Sequence, residues 1–158
     1  MAEAKLISIV YKPASAPTAA DAYTRMPVSA AELVLKHGIK GDIKGSTGSR
    51  QLNIMSAHIV ENLNAEGYNT KPGALGEQLV IAGIDLEALP PGSLLTIGNQ
   101  AQVEVVKLRT GCSKFERYQG HQESETVGRL GILAIVVTEG TIQVGDTVTV
   151  QPVQQELG

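Results

Sequence analysis

The sequence predicts a mainly β fold, a closed or nearly closed barrel of short, mostly antiparallel strands with two or three short helices. Three observations predict it. About seven to nine short apolar, β-branched runs recur along the chain. Seventeen glycines and seven prolines supply the turns between them, a spacing that favours a barrel over a parallel α/β sheet. Aromatics make up only 3% of the residues, so the core must be built from Val, Ile, Leu and Ala.

KLISIVY (5–11) reads as the first strand, stopped by Pro13. From Pro13 to Tyr23 the chain is rich in Ala, Pro and Thr and reads as a surface loop. Ser29 and Glu32 have capping-box spacing, which allows a short helical turn, whereas Glu32–Lys36 fits a strand equally well. QLNIM (51–55) reads as a strand. Ser56 then suits the N-cap of a helix running to about Glu66, with Ile59, Val60 and Leu63 on one face and Gly67 as its stop. SLLTIG and AQVEVVKL read as a hairpin turning at Gly98-Asn99-Gln100. GILAIVV and DTVTVQPV read as two closing strands joined around Gly140 and Gly145.

The 158 residues fit one domain (1–158) large enough to bury a core without a disulfide or metal. A formal net charge of −3 and the scarcity of aromatics argue against nucleic acid as a partner. No stretch approaches the apolar length of a membrane span, and the first residues lack the apolar core of a signal peptide. A single cysteine makes no internal disulfide, so a cytoplasmic setting is expected, with no membrane partner.

That cysteine, Cys112, is the sharpest chemical lead. It follows a strand and the turn Arg109-Thr110-Gly111 and precedes SKFERYQ, a segment able to form a short helix. Helix N–H groups and the charges of Arg109, Lys114 and Arg117 would favour the thiolate, the form that attacks sulfur or binds a soft metal. A buried thiol packing as a small hydrophobe is the alternative. The glycine-rich stretch Gly38–Gly48 is a second lead, able to form an anion-binding nest with Lys40, Lys44 and Arg50, or else a solvated loop. In the third, Gly73-Ala74-Leu75-Gly76-Glu77-Gln78-Leu79, two polar residues meet an apolar run, as a turn into a strand also would. His37, His58 and His121 show no metal-ligand spacing.

Taken in order, these segments resemble the MOSC domain, found at the C-terminus of molybdenum-cofactor sulfurases and as free-standing bacterial proteins. The matching pieces are Gly38-Ile39-Lys40-Gly41-Asp42, Arg50-Gln51, Pro72 to Glu77, Gly83-Ile84-Asp85-Leu86, Leu95-Thr96-Ile97-Gly98, Arg109-Thr110-Gly111-Cys112 and Gly145-Asp146, covering about residues 28–150. The resemblance implies a β-barrel and a family cysteine, Cys112, that carries sulfur as a persulfide with Arg109 beside it, or ligates molybdenum. It also implies a cleft for the molybdenum cofactor (molybdopterin) lined by Gly41, Asp42, Lys44, Arg50, Gly76, Glu77 and Lys114. The chain departs from the family pattern at Ile43-Lys44, where many relatives carry a histidine, and at Gln78, where Asn is common.

By the same resemblance, sulfur would come from a cysteine desulfurase or another donor. It would go to a molybdoenzyme or a cofactor-synthesis protein. Pyridoxal phosphate is expected in the donor and not in this chain. A sulfurtransferase-type carrier, a cofactor-binding module and a small molybdenum oxidoreductase with Cys112 as metal ligand are the readings open at this point, and the small size favours the first two.

Overall fold

A computed structural model describes residues 3–13, 25–43, 45, 47–48, 50–109, 119–120 and 128–151. The strands are β1 (Ala4–Tyr11), β2 (Met26–Val28), β3 (Ala30–Val34), β4 (Gly38–Ile39), β5 (Leu52–Ser56), β6 (Leu79–Ala82), β7 (Leu94–Ile97), β8 (Ala101–Leu108), β9 (Ile132–Thr138), β10 (Gly140–Gln143) and β11 (Thr147–Gln151). The helix α1 (Ala57–Ala65) and a 3-10 turn at Leu86–Ala88 accompany them, and Gln119 is also helical.

Seven strands close a ring in the order β1-β11-β7-β8-β9-β5-β6 and back to β1. Strand β1 makes closure possible because it is shared along its length. One edge pairs with β6, while the other pairs with β11 at Ala4 and Lys5 and with β2 from Ile9 to Tyr11. Among the described strands only β5 and β6 run parallel, with Ile54 opposite Leu79. A parallel pair needs a long crossover, and here it consists of α1 and the connection that follows, so the segment Pro72–Gln78 comes to lie at the ends of these two strands.

Inward residues of alternating strands fill the barrel. Leu6, Ile9, Leu52, Ile54, Leu79, Ile81, Leu95, Ile97, Val103, Val105, Ile132 and Ala134 form one buried cluster, aliphatic throughout as the composition requires. A second cluster, Met55, Leu63, Tyr68, Leu75 and Leu130, fixes α1 and the crossover to the barrel's outer wall.

The segment around Ser29 and Glu32 is a strand and not a helical turn. β3 lies between β4 and β10 in a separate three-stranded sheet, and its Leu33 is buried in the main core beside Ile39 and Ile142. The link read around Gly140 and Gly145 is itself a strand, β10, because Gly140 to Gln143 pair with Leu33 to Ala30. Its GTIQ sequence offers one apolar side chain, Ile142, too little to mark a strand before its partner is known.

Ser56 occupies the N-cap position of α1, but its side chain makes no capping bond. Its hydroxyl instead donates to Glu87 Oε2 at 2.8 Å and accepts the Leu86 N–H at 2.9 Å, stapling the 3-10 turn to β5. The expected hairpin at Gly98 is present, with Ile97 opposite Ala101.

Candidate functional site

The Pro72–Gln78 segment is held from within by Glu77. Its carboxylate is buried and accepts the backbone N–H groups of Gly73 (2.7 Å) and Leu75 (3.2 Å). Burial pushes the Glu77 carboxyl above its ordinary value, partly offset by these hydrogen bonds and by the charge of Arg25. The side chain therefore faces the loop's own backbone. Gly73 and Gly76 adopt positive φ (82° and 85°), and each is overlaid by an arginine. The aliphatic part of Arg25 lies against Gly73, and the guanidinium of Arg109 lies against Gly76.

Arg109 follows β8 directly, its N–H donating to Gly131 O at 3.0 Å. Its Nη1 donates to Leu75 O and, at 3.4 Å, to Asn53 Oδ1. Asn53, the second residue of β5, is buried, its amide fixed by donation from Nδ2 to Leu130 O (3.0 Å). The Asn53 N–H donates to Gln78 Oε1 at 2.8 Å, and Gln78 Nε2 donates to Asp42 Oδ2 at 3.3 Å. Asp42, also buried, accepts the Lys12 N–H through Oδ1 at 3.2 Å. A polar relay thus runs from Asp42 through Gln78 to the Asn53 backbone, and from the Asn53 side chain to Arg109.

Gln119 is the first described residue beyond Arg109. Its side chain donates to Asn69 O and Ala74 O and accepts the Asn69 N–H, all at 2.8 Å. Arg109 and Gln119 thus both donate to carbonyls of the same loop, Leu75 O and Ala74 O.

Of the residues singled out from sequence, Asp42, Gly76, Glu77 and Arg109 come together here. Gly41 adjoins Asp42 in an exposed turn, where an added β-carbon would stand 3.6 Å from the Tyr11 ring. Arg50 is exposed just before β5. Lys40, also exposed, pairs with Glu32 at 3.4 Å. Lys44, Cys112, Lys114 and His121 lie outside the described residues, as does the segment read as SKFERYQ up to Tyr118. His58 sits half-exposed on α1, 4.0 Å from Asp85.

Asn53, Arg25 and Gln119 escaped the sequence reading. Asn53 alone left a signal, a polar residue inside the apolar strand LNIMS, buried at every position. Among the described residues no three His, Cys, Asp or Glu side chains gather as a metal site. No described helix is long and apolar enough to cross a membrane.

The family profile described as "MOSC domain" matches residues 40–149, more than half of the chain. The chain belongs to the MOSC domain family. MOSC domains are associated with molybdenum-cofactor-related functions. No curated protein matches the sequence. Among solved structures, the YuaD protein from Bacillus subtilis is similar at 19% identity and TM-score 0.77, with 97% of this chain and 98% of that chain covered. YiiM from Geobacillus stearothermophilus is similar at 20% identity and TM-score 0.71, covering 98% and 77%. YiiM from Escherichia coli follows at 16% identity and TM-score 0.66, covering 96% and 72%. At these identities the likeness establishes a shared MOSC fold.

Proposed function

We propose that this MOSC protein carries sulfur as a persulfide on Cys112 for delivery to a molybdenum centre. The observation that supports this reading is the anchoring of Arg109. Its guanidinium is tied to Leu75 O and Asn53, and Cys112 lies three residues further along the chain. Three peptide units span at most roughly 11 Å between Cα atoms, so the Cys112 thiol is tethered within reach of this fixed positive charge. A nearby cation favours the thiolate and the persulfide anion.

In the transfer, the Cys112 thiolate attacks the outer sulfur of a donor persulfide, such as that of a cysteine desulfurase. A new S–S bond forms at Cys112 as the donor's S–S bond breaks, and the electron pair leaves on the donor's thiolate. No net oxidation occurs. A thiolate of the acceptor, a molybdoenzyme or a cofactor-synthesis protein, then attacks the outer sulfur, and the S–S bond at Cys112 breaks with its electron pair returning to the Cys112 thiolate.

A second reading, a module that binds the molybdenum cofactor, is favoured by the donor set. Arg109, partly exposed and backed by buried amides, suits an oxyanion such as the cofactor's phosphate. Asp42 and Glu77 are turned towards Gln78 and the loop backbone respectively, and so would shape such a cleft rather than contact an anion. The cofactor would supply its metal's redox and sulfur chemistry, and this chain would contribute the charge and the cleft.

Intact-mass measurement after incubation with a cysteine desulfurase and free cysteine tests the carrier reading. A gain of one sulfur atom, removed by reductant and absent from Cys112→Ser, is the expected result. No gain with a competent desulfurase overturns it in favour of cofactor binding, which co-purifying molybdenum and pterin would mark.

A further inference from the structure

The relay behind Arg109 has a direction that its chemistry enforces. Asp42 accepts the Lys12 N–H through one carboxylate oxygen, so Gln78 must turn its NH2 towards the other. That leaves Gln78 Oε1 for the Asn53 N–H. Leu130 O takes the Asn53 NH2, which leaves Asn53 Oδ1 facing Arg109. No amide in the relay can flip without setting donor against donor or acceptor against acceptor in a buried setting, where neither clash is relieved by water.

We infer that Gln78 and Asn53 are positioning residues for Arg109, fixing the plane of its guanidinium through the Asp42–Gln78–Asn53 relay. Two acceptors on Nη1, Leu75 O from the loop and Asn53 Oδ1 from β5, define that plane. The relay spans four separate parts of the chain, so Arg109 is held by the closed barrel rather than by its own strand. Its purpose in sulfur transfer rests on the reading above; its geometry does not.

The test follows the guanidinium itself, by NMR of the 15N-labelled chain with the Arg109 Nη resonances assigned by their loss in Arg109→Lys. In the wild type, separate Nη resonances are expected, the mark of hindered rotation. Asn53→Ser shortens the acceptor and should merge them. Gln78→Glu places a carboxylate oxygen against Asp42, with Lys12 bonded to Asp42 through its backbone N–H, Arg109 bonded to Asn53 and Glu77 adjacent in the chain, and should merge them at neutral pH. In acid, a proton bound between the two carboxyls restores the donor, and the resonances should separate again.

A purely structural Gln78 would lower the melting temperature without making Arg109 ordering pH-dependent. Separate resonances in both variants at every pH would overturn the inference. If the pattern holds while wild-type Cys112 accepts no sulfur, the carrier reading falls and the positioning role stands.

Discussion

The guanidinium of Arg109 rests on Gly76 so closely that a β-carbon on the glycine would stand 2.6 Å from Arg109 Nη2. Gly76 also has φ 85°, a left-handed conformation. Gly76→Ala should therefore combine a backbone penalty of about 1–2 kcal/mol with displacement of the arginine. Gly67→Ala is the matched control, since Gly67 has φ 96° and nothing within 4 Å of an added β-carbon. Chemical denaturation should show a larger loss for Gly76→Ala, and only that variant should disturb the Arg109 signals.

Glu77 should give the protein a measurable pH slope. Its carboxyl, raised by burial above the ordinary 4.5, ionises later in the folded chain than in the unfolded one. The native state therefore holds more protons as pH climbs through 4.5, and stability falls until the folded carboxyl ionises. Glu77→Gln should abolish that slope. Its amide can offer only one oxygen to the two loop N–H groups, so it should also cost about 1–3 kcal/mol at neutral pH. Urea unfolding followed upward in pH from the ordinary 4.5 measures both effects.

Ser56→Ala should destabilise by about 1–3 kcal/mol, because it strips a buried partner from the Leu86 N–H and from Glu87. Hydrogen exchange should localise the damage. The Leu86 amide is expected to lose protection while those of α1 keep theirs. The reverse pattern would mean that Ser56 acts as an ordinary helix cap.

Leu63 is the single buried residue of α1, packed with Met55, Tyr68, Leu75 and Leu130. Leu63→Ala should cost about 2–5 kcal/mol. Because the same cluster holds Leu75, whose carbonyl accepts from Arg109, the variant should loosen Arg109 as well. An unchanged Arg109 signal would show that the loop holds its shape without the helix.

The sequence by itself determined the strands that announce themselves locally. AQVEVVKL alternates inward and outward residues, with Ala101, Val103 and Val105 buried, and Gly98 allows the turn that leads into it. The barrel class and the aliphatic core were legible in the same way, whereas Asp42 was singled out only through the family resemblance. Only the tertiary structure decided that β3 is a strand and that GTIQ pairs with it. It also turned Ser56 towards Glu87 rather than α1. The relay belongs to the same class, since Asn53 meets Gln78 across 25 residues of chain and Arg109 across 56. Periodicity and turn chemistry act over a few neighbouring residues. A buried amide's partner is set by which strands barrel closure brings side by side, and no local pattern encodes that.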